Sequence, residues 1–224
     1  MKNTLSIAIL CLLATSGTRA AVIIDDFSID SSGKYNTVHI SGSHAAYGIA
    51  DDQFAPTWSG EHTIWLRNDG YTFDIGSSVL INVCAVPNLW QAAGLGLNRS
   101  LTVPDAEADA KQYFIQNQTG GVMKWQGKEE LTDLSFTKGP ATISLTRTSG
   151  TGLDYAVHYF KTDGSAAQLT GTDTIASGAQ YFGMWAYSCG GARWDNLAVA
   201  PVPEPAALVV LLGGVTGLMM RRRR

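Results

Sequence analysis

The stretch that decides the fold is Leu153-Asp154-Tyr155-Ala156-Val157-His158-Tyr159. Large apolar side chains recur there at every second position, which is the period of a β-strand with one buried face. The residues predicted to face a core are Leu153, Tyr155, Val157 and Tyr159. Asp154 and His158 share the opposite face, which we interpret as the polar face of a sheet.

The same alternation continues outward from this stretch, at Val79-Leu80-Ile81-Asn82-Val83 and around Ile143 and Leu145. Sequences typical of turns separate such runs. They are Asn68-Asp69-Gly70, Thr119-Gly120-Gly121, residues 148–152 and Asp163-Gly164-Ser165. The best helix candidate is Asp105–Gln112, which would form one or two turns. Roughly a dozen strands without helical crossovers predict one all-β antiparallel two-sheet sandwich over residues 21–200.

Composition and charge exclude several classes of protein. The chain has 224 residues, of which 45% are hydrophobic and 16% charged, with 24 glycines. It is too apolar for a disordered protein and too rich in glycine for a helical bundle. Residues 21–200 contain ten Lys and Arg against 18 Asp and Glu, a net charge of −8. A nucleic-acid binder needs a basic surface, so we expect no nucleic-acid partner.

The first twenty residues have the pattern of a secretory signal peptide. Lys2 precedes an apolar run from Leu5 to Ala14, and small residues follow it. Thr18 and Ala20 fit positions −3 and −1, which predicts cleavage between Ala20 and Ala21. We therefore expect export, with the Sec machinery as a partner.

The other end combines three features in order. Pro203-Glu204-Pro205 precedes an apolar segment at 206–220, and Arg221, Arg222, Arg223 and Arg224 close the chain. A helix of that length spans about 22 Å, short of a hydrocarbon core of roughly 30 Å, but insertion with snorkelling arginines remains open. The arginines favour the cytoplasmic side, which leaves residues 21–200 on the exported side.

This tail resembles the PEP-CTERM sorting signal of exported bacterial proteins over 202–224. The resemblance implies processing near Pro203-Glu204-Pro205 by an exosortase-type protease. It also implies a Gram-negative host that makes exopolysaccharide, a membrane-anchored precursor, and a final place at the cell surface or in the extracellular matrix. An ordinary C-terminal membrane anchor is the alternative. In such a bacterium, the sequons Asn98-Arg99-Ser100 and Asn117-Gln118-Thr119 are chance matches.

Two cysteines remain after removal of the signal peptide and Cys11, namely Cys84 and Cys189. In an oxidising compartment two cysteines on a strand-rich domain predict a disulfide. The alternative is two unpaired, buried thiols.

A second resemblance rests on the ends of the domain, Ile23-Ile24-Asp25-Asp26-Phe27-Ser28 and Arg193-Trp194-Asp195-Asn196-Leu197-Ala198-Val199. They are similar to the opening and closing strands of the concanavalin A-like (laminin-G-like) jelly roll. The resemblance implies that these two strands lie side by side, with Asp195 and Asn196 as structural residues.

Catalytic patterns are absent from the sequence. Jelly rolls of this kind include hydrolases with two carboxylates on one strand face, but Glu129 and Glu130 are adjacent and form no such pair. We interpret Lys128-Glu129-Glu130 as a surface turn. A pair assembled from distant residues, such as Glu61 with Asp74, stays open, so a glycoside hydrolase or lyase is the third hypothesis. No nucleophile motif is present, so no catalytic residue is predicted and we expect a protein that is not an enzyme.

The histidines and acidic residues also lack the spacing in sequence that is typical of metal sites. His39 and His44 lack the spacing of a zinc pair, and we predict no metal site and no cofactor. Calcium stays an alternative, because Asp51-Asp52 and Asp69 with Asp74 supply carboxylate oxygens in loops.

Six tryptophans suggest another function, because sugar rings stack on exposed aromatic side chains. Trp185 and Trp194 lie in the closing strands and are predicted to be structural. Trp58 and Trp90 are the candidate carbohydrate-binding residues, because they have loop-like neighbours in Ala55-Pro56-Thr57-Trp58-Ser59-Gly60 and Pro87-Asn88-Leu89-Trp90-Gln91. The leading hypothesis is an exported structural or adhesive protein of the envelope or matrix, and the alternative is a lectin-like module for exopolysaccharide.

Overall fold

The computed structural model describes residues 21–41, 47–56, 62–105, 111–188 and 190–200. Several sequence predictions fall outside these residues: the signal peptide, Trp58, Glu61, Cys189 and the sorting tail at 201–224. They stay predictions.

Sheet A contains seven strands in the spatial order β13 (Ala166–Thr174), β12 (Gly152–Phe160), β11 (Ala141–Arg147), β6 (Ser78–Ala85), β15 (Arg193–Ala200), β4 (Gln53–Pro56) and β3 (Tyr47–Ala50), and an eighth, β1 (Val22–Asp25), pairs with β15. Sheet B has the order β10 (Glu129–Glu130), β9 (Val122–Trp125), β8 (Lys111–Gln118), β7 (Ala92–Asn98), β14 (Tyr181–Tyr187), β5 (Thr63–Arg67) and β2 (Tyr35–His39). The predicted all-β antiparallel two-sheet jelly-roll sandwich is confirmed.

The core lies between the two sheets and is built by the predicted alternation. Leu153, Val157 and Tyr159 of β12 are buried there, Tyr155 packs against them at the margin, and Asp154 and His158 are exposed on the outer face. The other inward positions of sheet A alternate in the same way on β6 and β11. Period-two patterning thus places the apolar face of each strand inward.

Trp194 connects the two sheets directly. It is fully buried on β15, and its indole Nε1 donates a hydrogen bond of 3.2 Å to the carbonyl oxygen of Gly94 on β7. Gly94 has no room for a side chain, because a Cβ there would overlap the carbonyl oxygen of Tyr113. Close packing of glycine against the neighbouring strand therefore accompanies a polar bond across the core.

The opening and closing strands pair as the resemblance implied. Val22 of β1 lies opposite Val199 of β15, and Asp25 lies opposite Leu197. The register of β15 shifts against β6 between Asp195 and Ala198, and Asn196 has a φ of 50° within that interval. Asparagine tolerates this left-handed conformation, which is where a β-bulge needs it.

A buried ionic network fixes strand β1 to sheet B. Arg67 on β5 donates to Asp25 on β1 at 2.7 Å and to both carboxylate oxygens of Asp69 at 2.6 Å. Tyr35 donates to Asp25 at 3.0 Å and accepts from Arg67 at 2.9 Å. Burial raises the pKa of Tyr35. Because each charged group is paired and hydrogen-bonded, burial of this network is tolerated.

The helix expectation at Asp105–Gln112 is wrong where the structure describes it. Lys111 and Gln112 begin strand β8, and Asp105 lies in a loop, while 106–110 fall outside the described residues. Pairing of β8 with β7 overrides the local helix preference of these side chains. Throughout the described ranges the helical segments are two single 3₁₀ turns, and none has the length or apolar character to cross a membrane.

Candidate functional site

The tryptophans divide sharply between core and surface. Buried examples within the described residues are Trp65, Trp125, Trp185 and Trp194. Trp90 is 50% exposed, and its neighbour Leu89 is 51% exposed. The prediction that Trp185 and Trp194 are structural is confirmed. Trp90 is thus the tryptophan that the described fold leaves available to a ligand.

Trp90 lies in the loop at 86–91, which leads from β6 in sheet A to β7 in sheet B. Its backbone N–H donates to the carbonyl oxygen of Asn117 at 2.7 Å, and the N–H of Asn117 donates to Gln91 at 2.9 Å. The amide nitrogen of the Asn117 side chain donates to the carbonyl oxygens of Val86 at 3.1 Å and Pro87 at 3.3 Å. One buried asparagine on β8 therefore binds four residues of the loop.

Gly190 and Gly191, which lie between β14 and β15, also hold the loop. The backbone N–H of Asn88 donates to the side-chain oxygen of Gln91 at 3.1 Å. Side-chain amides of both residues donate to the carbonyl oxygen of Gly190. A Cβ at Gly191 would come within 2.9 Å of Pro87, so this contact needs glycine. We define residues 86–91 with these anchors as the Trp90 loop.

The conformation of Trp90 itself is unusual. Its φ is 66°, in the left-handed region that a bulky side chain rarely adopts. Such a conformation costs on the order of 1–3 kcal/mol and persists only where the surroundings enforce it. Here the main chain of Asn117 enforces it, because it accepts a hydrogen bond from the N–H of Trp90 and donates one to the carbonyl oxygen of Gln91. The loop therefore holds an indole outward at a local cost in stability.

Polar side chains follow Trp90 on the outer face of sheet B. Ala92, two residues further along the chain, lies between Tyr187 and Gln116 in the sheet register. The same row continues through Lys124 on β9 to Glu130 on β10. A phenol, an amide, an ammonium group and a carboxylate thus form one line across the sheet. Together they can donate to and accept from the hydroxyl groups of a bound molecule.

Trp185 belongs to an apolar cluster on this outer face, which shares Ala92 with the polar row. Its ring centroid lies 4.8 Å from that of Phe114, and it packs with Val38, Ile64, Leu66 and Ala92. Only 2% of Trp185 is exposed. Its burial explains why this closing-strand residue contributes packing and not a binding platform.

The outer face of sheet A carries an open hollow of about 400 Å³. Hydroxyl groups line it, and Asp154 supplies the carboxylate; the hydroxyl residues are Ser144, Thr146, Thr170 and Thr172. Thr146 lies opposite Ser78 at the start of β6, whereas the Trp90 loop follows the end of β6. The hollow and the Trp90 loop are therefore distinct surfaces.

The carboxylates considered for catalysis occupy structural positions. Glu129 and Glu130 form the exposed two-residue strand β10. The interpretation of this pair as part of a turn is therefore wrong. The turn lies just before the pair, at Gln126 and Gly127, which both have positive φ. Asp74 accepts a hydrogen bond from Thr72 at 3.0 Å in a turn before β6. Its proposed partner Glu61 lies outside the described residues.

The carboxylates considered for calcium are used in other ways. Asp51 and Asp52 have φ values of 54° and 56° and form the two-residue hairpin turn between β3 and β4. Two adjacent residues with positive φ are the mark of a type I′ turn, which favours Asp. Asp69 is bound by Arg67 in the buried network. In the described part of the chain no three His, Cys, Asp or Glu side chains group as metal ligands. His44 lies outside the described residues, and His39 contacts Thr63 at 3.3 Å.

Both sequon asparagines have structural roles that explain their presence. Asn98 is 1% exposed, donates to the carbonyl oxygens of Ser100 and Val103, and accepts from the N–H of Asp105. Asn117 is buried beneath the Trp90 loop. Neither side chain is accessible for glycosylation in the folded domain, which supports their interpretation as chance matches.

Cys84 lies half-buried on β6, with its Sγ 3.9 Å from the carbonyl oxygen of Asn82, and forms no disulfide with another described residue. Burial, and then the negative charge of Asp195, raises the pKa of the Cys84 thiol to about 11. Its predicted partner Cys189 lies outside the described residues, so the Cys84–Cys189 disulfide stays a prediction. Ser188 and Gly190, which flank that position, belong to the segment that anchors the Trp90 loop.

The sequence singled out Trp90 but neither of its anchors. Asn117 appeared only as part of a chance sequon, and Gln91 only as a neighbour of Trp90. Asn117 is 27 positions from Trp90 in the chain. The signal that could have indicated it is a polar residue at the inward position of an alternating strand, Tyr113-Phe114-Ile115-Gln116-Asn117.

No family model and no curated protein matches this chain. Among solved structures, the legume lectin-like domain from Entamoeba histolytica has a TM-score of 0.44 at 13% identity, covering 75% of this chain and 88% of that one. A protein of unknown function with a galectin-like fold from Bacillus subtilis has a TM-score of 0.46 at 10% identity, covering 82% and 96%. The CBM2 module of an evolved Dit from Lactobacillus casei BL23 phage J-1 gives 0.40 at 8% identity, covering 78% and 92%. These similarities concern the fold alone.

Proposed function

We propose that this protein is an adhesive component of the bacterial surface or matrix that binds polysaccharide through the Trp90 loop. The observation that carries the proposal is the half-exposed indole of Trp90, held outward by hydrogen bonds to Asn117 at a φ of 66°. Backbone strain at a ligand site is a recurring use of such conformations.

A rigid indole is well suited to a sugar ring. Its flat apolar face covers the C–H groups of a pyranose, while the polar row beside it, with Gln116 and Lys124, offers hydrogen bonds to the hydroxyl groups. Because the loop is already fixed, binding does not have to order it, and less of the interaction energy is lost. The exposed Leu89 extends the apolar contact beyond one ring.

The charge of the domain narrows the class of polysaccharide. With 18 acidic and ten basic residues between positions 21 and 200, the domain repels polyanions at low ionic strength. Lys124 is the cation of the polar row, and Glu130 adjoins it. We therefore propose a neutral polysaccharide as the ligand.

The place of action follows from the two ends of the sequence. A signal peptide at 1–20 and Sec export would deliver the domain across the inner membrane, with the segment at 206–220 holding the precursor there. Cleavage near Pro203-Glu204-Pro205 by an exosortase-type protease would then release it to the surface or matrix. If intact-mass measurement on surface-extracted protein still finds Arg224, the tail is a permanent anchor and this processing step is wrong.

Affinity electrophoresis tests the binding function. We expect the full-length chain, in a native gel with mild detergent, to migrate more slowly when the gel contains a neutral polysaccharide or the producing bacterium's own exopolysaccharide. Trp90→Ala should remove the retardation. Ile75→Ala, which truncates another exposed apolar residue away from the loop, is the matched control and should leave it unchanged.

Two outcomes would overturn the proposal. One is migration that no polysaccharide alters. The other is retardation that Trp90→Ala leaves intact; loss of it in Trp58→Ala alone would move the site to the second candidate tryptophan.

A further inference from the structure

Strand β13 is the longest strand at a sheet edge in the described structure. It has nine residues, Ala166–Thr174, and pairs with β12 along its whole length without a register shift. Among the described residues nothing pairs with its other edge, where β13 ends sheet A. A long regular edge of this kind is a template for another strand.

Two hydrogen bonds fix which groups of β13 face outward. Lys161 donates to Ser165 at one end of the β12–β13 hairpin, and Ile175 donates to Thr151 at the other. Because hydrogen-bonded pairs alternate along an antiparallel ladder, odd-numbered residues of β13 bond to β12. Backbone groups of the even-numbered residues therefore point to the open edge. These residues are Ala166, Gln168, Thr170, Thr172 and Thr174.

This edge lacks the features by which proteins protect edge strands. Its even-numbered side chains are uncharged, and the strand contains no proline, lysine or arginine. The one charged residue, Asp173, faces inward and is bound by Lys111 and Tyr113. By contrast, β10 consists of two exposed glutamates, and β3 has only four residues.

We propose that β13 pairs with β13 of a second copy of this chain, antiparallel and about a two-fold axis at Thr170. In that register Thr170 lies opposite itself, and Gln168 lies opposite Thr172 of the second copy. Ala166 then lies opposite Thr174, whose N–H already donates to Asp173 at 2.7 Å, so pairing ends there. Sheet A continues through the interface into its copy.

The absence of charged side chains along this edge allows a second copy to occupy it. Each domain carries a net charge of −8, so two copies repel each other over faces that carry exposed carboxylates. The β13 edge brings no charged pair together in the two-fold register. The same row of donors and acceptors is present on both copies, so the edge is self-complementary without any further partner.

The mass of the full-length chain in mild detergent, measured by light scattering after size-exclusion chromatography, tests this. We expect a dimer for the unaltered chain. Thr170→Lys places two ammonium groups directly opposite each other and should weaken the dimer about fivefold. Thr102→Lys, the same change at an exposed loop position, should leave the dimer intact.

Two further variants separate edge pairing from misfolding and test the register. Thr170→Pro removes an outward N–H without removing a bond to β12, and should give a folded monomer with an unchanged near-ultraviolet spectrum. Thr170→Cys should form an intermolecular disulfide on oxidation, because hydrogen-bonded partners lie about 5.5 Å apart between Cα atoms. Thr102→Cys should not. A monomeric unaltered chain would overturn the proposal, as would a dimer that survives both Thr170→Lys and Thr170→Pro.

Discussion

Trp194 and Trp90 put the same side chain to opposite uses. Trp194 is fully buried and joins the two sheets by a hydrogen bond to Gly94. Trp90 is half-exposed and held in a left-handed conformation by bonds to its backbone alone. At Trp194 the indole makes the hydrogen bond, whereas at Trp90 the main chain makes it and the indole is left exposed. We therefore expect replacement of Trp194 to affect stability and replacement of Trp90 to affect the proposed binding.

The largest effect is expected for Trp194→Ala. Removing this side chain opens a cavity between the sheets and leaves the Gly94 carbonyl without its donor. We expect the free energy of unfolding to fall by about 3–5 kcal/mol, measured by urea denaturation. Trp194→Phe should recover part of the loss. A fall below about 1 kcal/mol would show that this indole does not carry the inter-sheet packing.

Asn117→Ala comes next, because it removes the side-chain hydrogen bonds to Val86 and Pro87 that hold the start of the Trp90 loop. The main-chain bonds of residue 117 to Trp90 and Gln91 remain. We expect a loss of about 1–2 kcal/mol in unfolding free energy, together with weaker retardation in polysaccharide gels.

Asn98→Ala is the control for this prediction. It removes an equally buried asparagine that organises the loop at 99–105, so we expect a similar loss of stability with binding retained. Equal weakening of binding by both variants would mean that global stability, and not the Trp90 loop, governs retardation.

At Trp90 the expected change in stability is small and depends on the replacement. Trp90→Gly removes the cost of a φ of 66°, which Trp90→Ala keeps. We expect the glycine variant to be more stable than the alanine variant by about 1 kcal/mol, with binding lost in both. Equal stabilities would indicate that the backbone relaxes when the side chain is removed.

The smallest effect on stability is expected at Cys84, near the end of β6, and it depends on pH. Its pKa of about 11, against an ordinary 9.0, makes the thiolate roughly a hundredfold scarcer at pH 8 in the folded, reduced protein. Folding favours the protonated Cys84 thiol. The stability that this thiol contributes is therefore complete below pH 9 and is lost as the pH rises toward 11. Iodoacetamide labelling of reduced protein should therefore accelerate from pH 8 to 11.

Labelling of Cys84 at pH 8 as fast as that of a free thiol would contradict the burial of this group. The same assay on denatured, unreduced protein tests the disulfide prediction, because a Cys84–Cys189 bond leaves no reactive thiol at either position.

Much of the fold was predictable because strand periodicity is local. The alternation at 153–159 gave the correct inward face, and the similarity of 23–28 and 193–199 to opening and closing strands gave the correct neighbours. The helix expected before β8 was wrong at Lys111 and Gln112, because sheet pairing decided their conformation.

The candidate site was predictable only in part. Proline and asparagine before Trp90 indicated a loop, but the anchoring by Asn117 depends on β7 and β8 lying side by side. Asp51 and Asp52 show the converse case. In the sequence their carboxylates offered calcium ligands as an alternative, whereas in the fold their positive φ values serve a hairpin turn. Side-chain chemistry in a sequence does not reveal whether a residue is selected for its backbone conformation.

The position of β15 has a mechanical consequence. This strand lies inside sheet A, with β6 along one edge and β1 and β4 along the other. A pull applied at Ala200 and resisted elsewhere in the domain acts along the strand, so the ladder bonds on both edges are loaded together in shear. They cannot open one after another, as they would in a peeled edge strand. A domain held by its last strand would therefore resist flow and traction through a high barrier to forced unfolding, independent of its equilibrium stability.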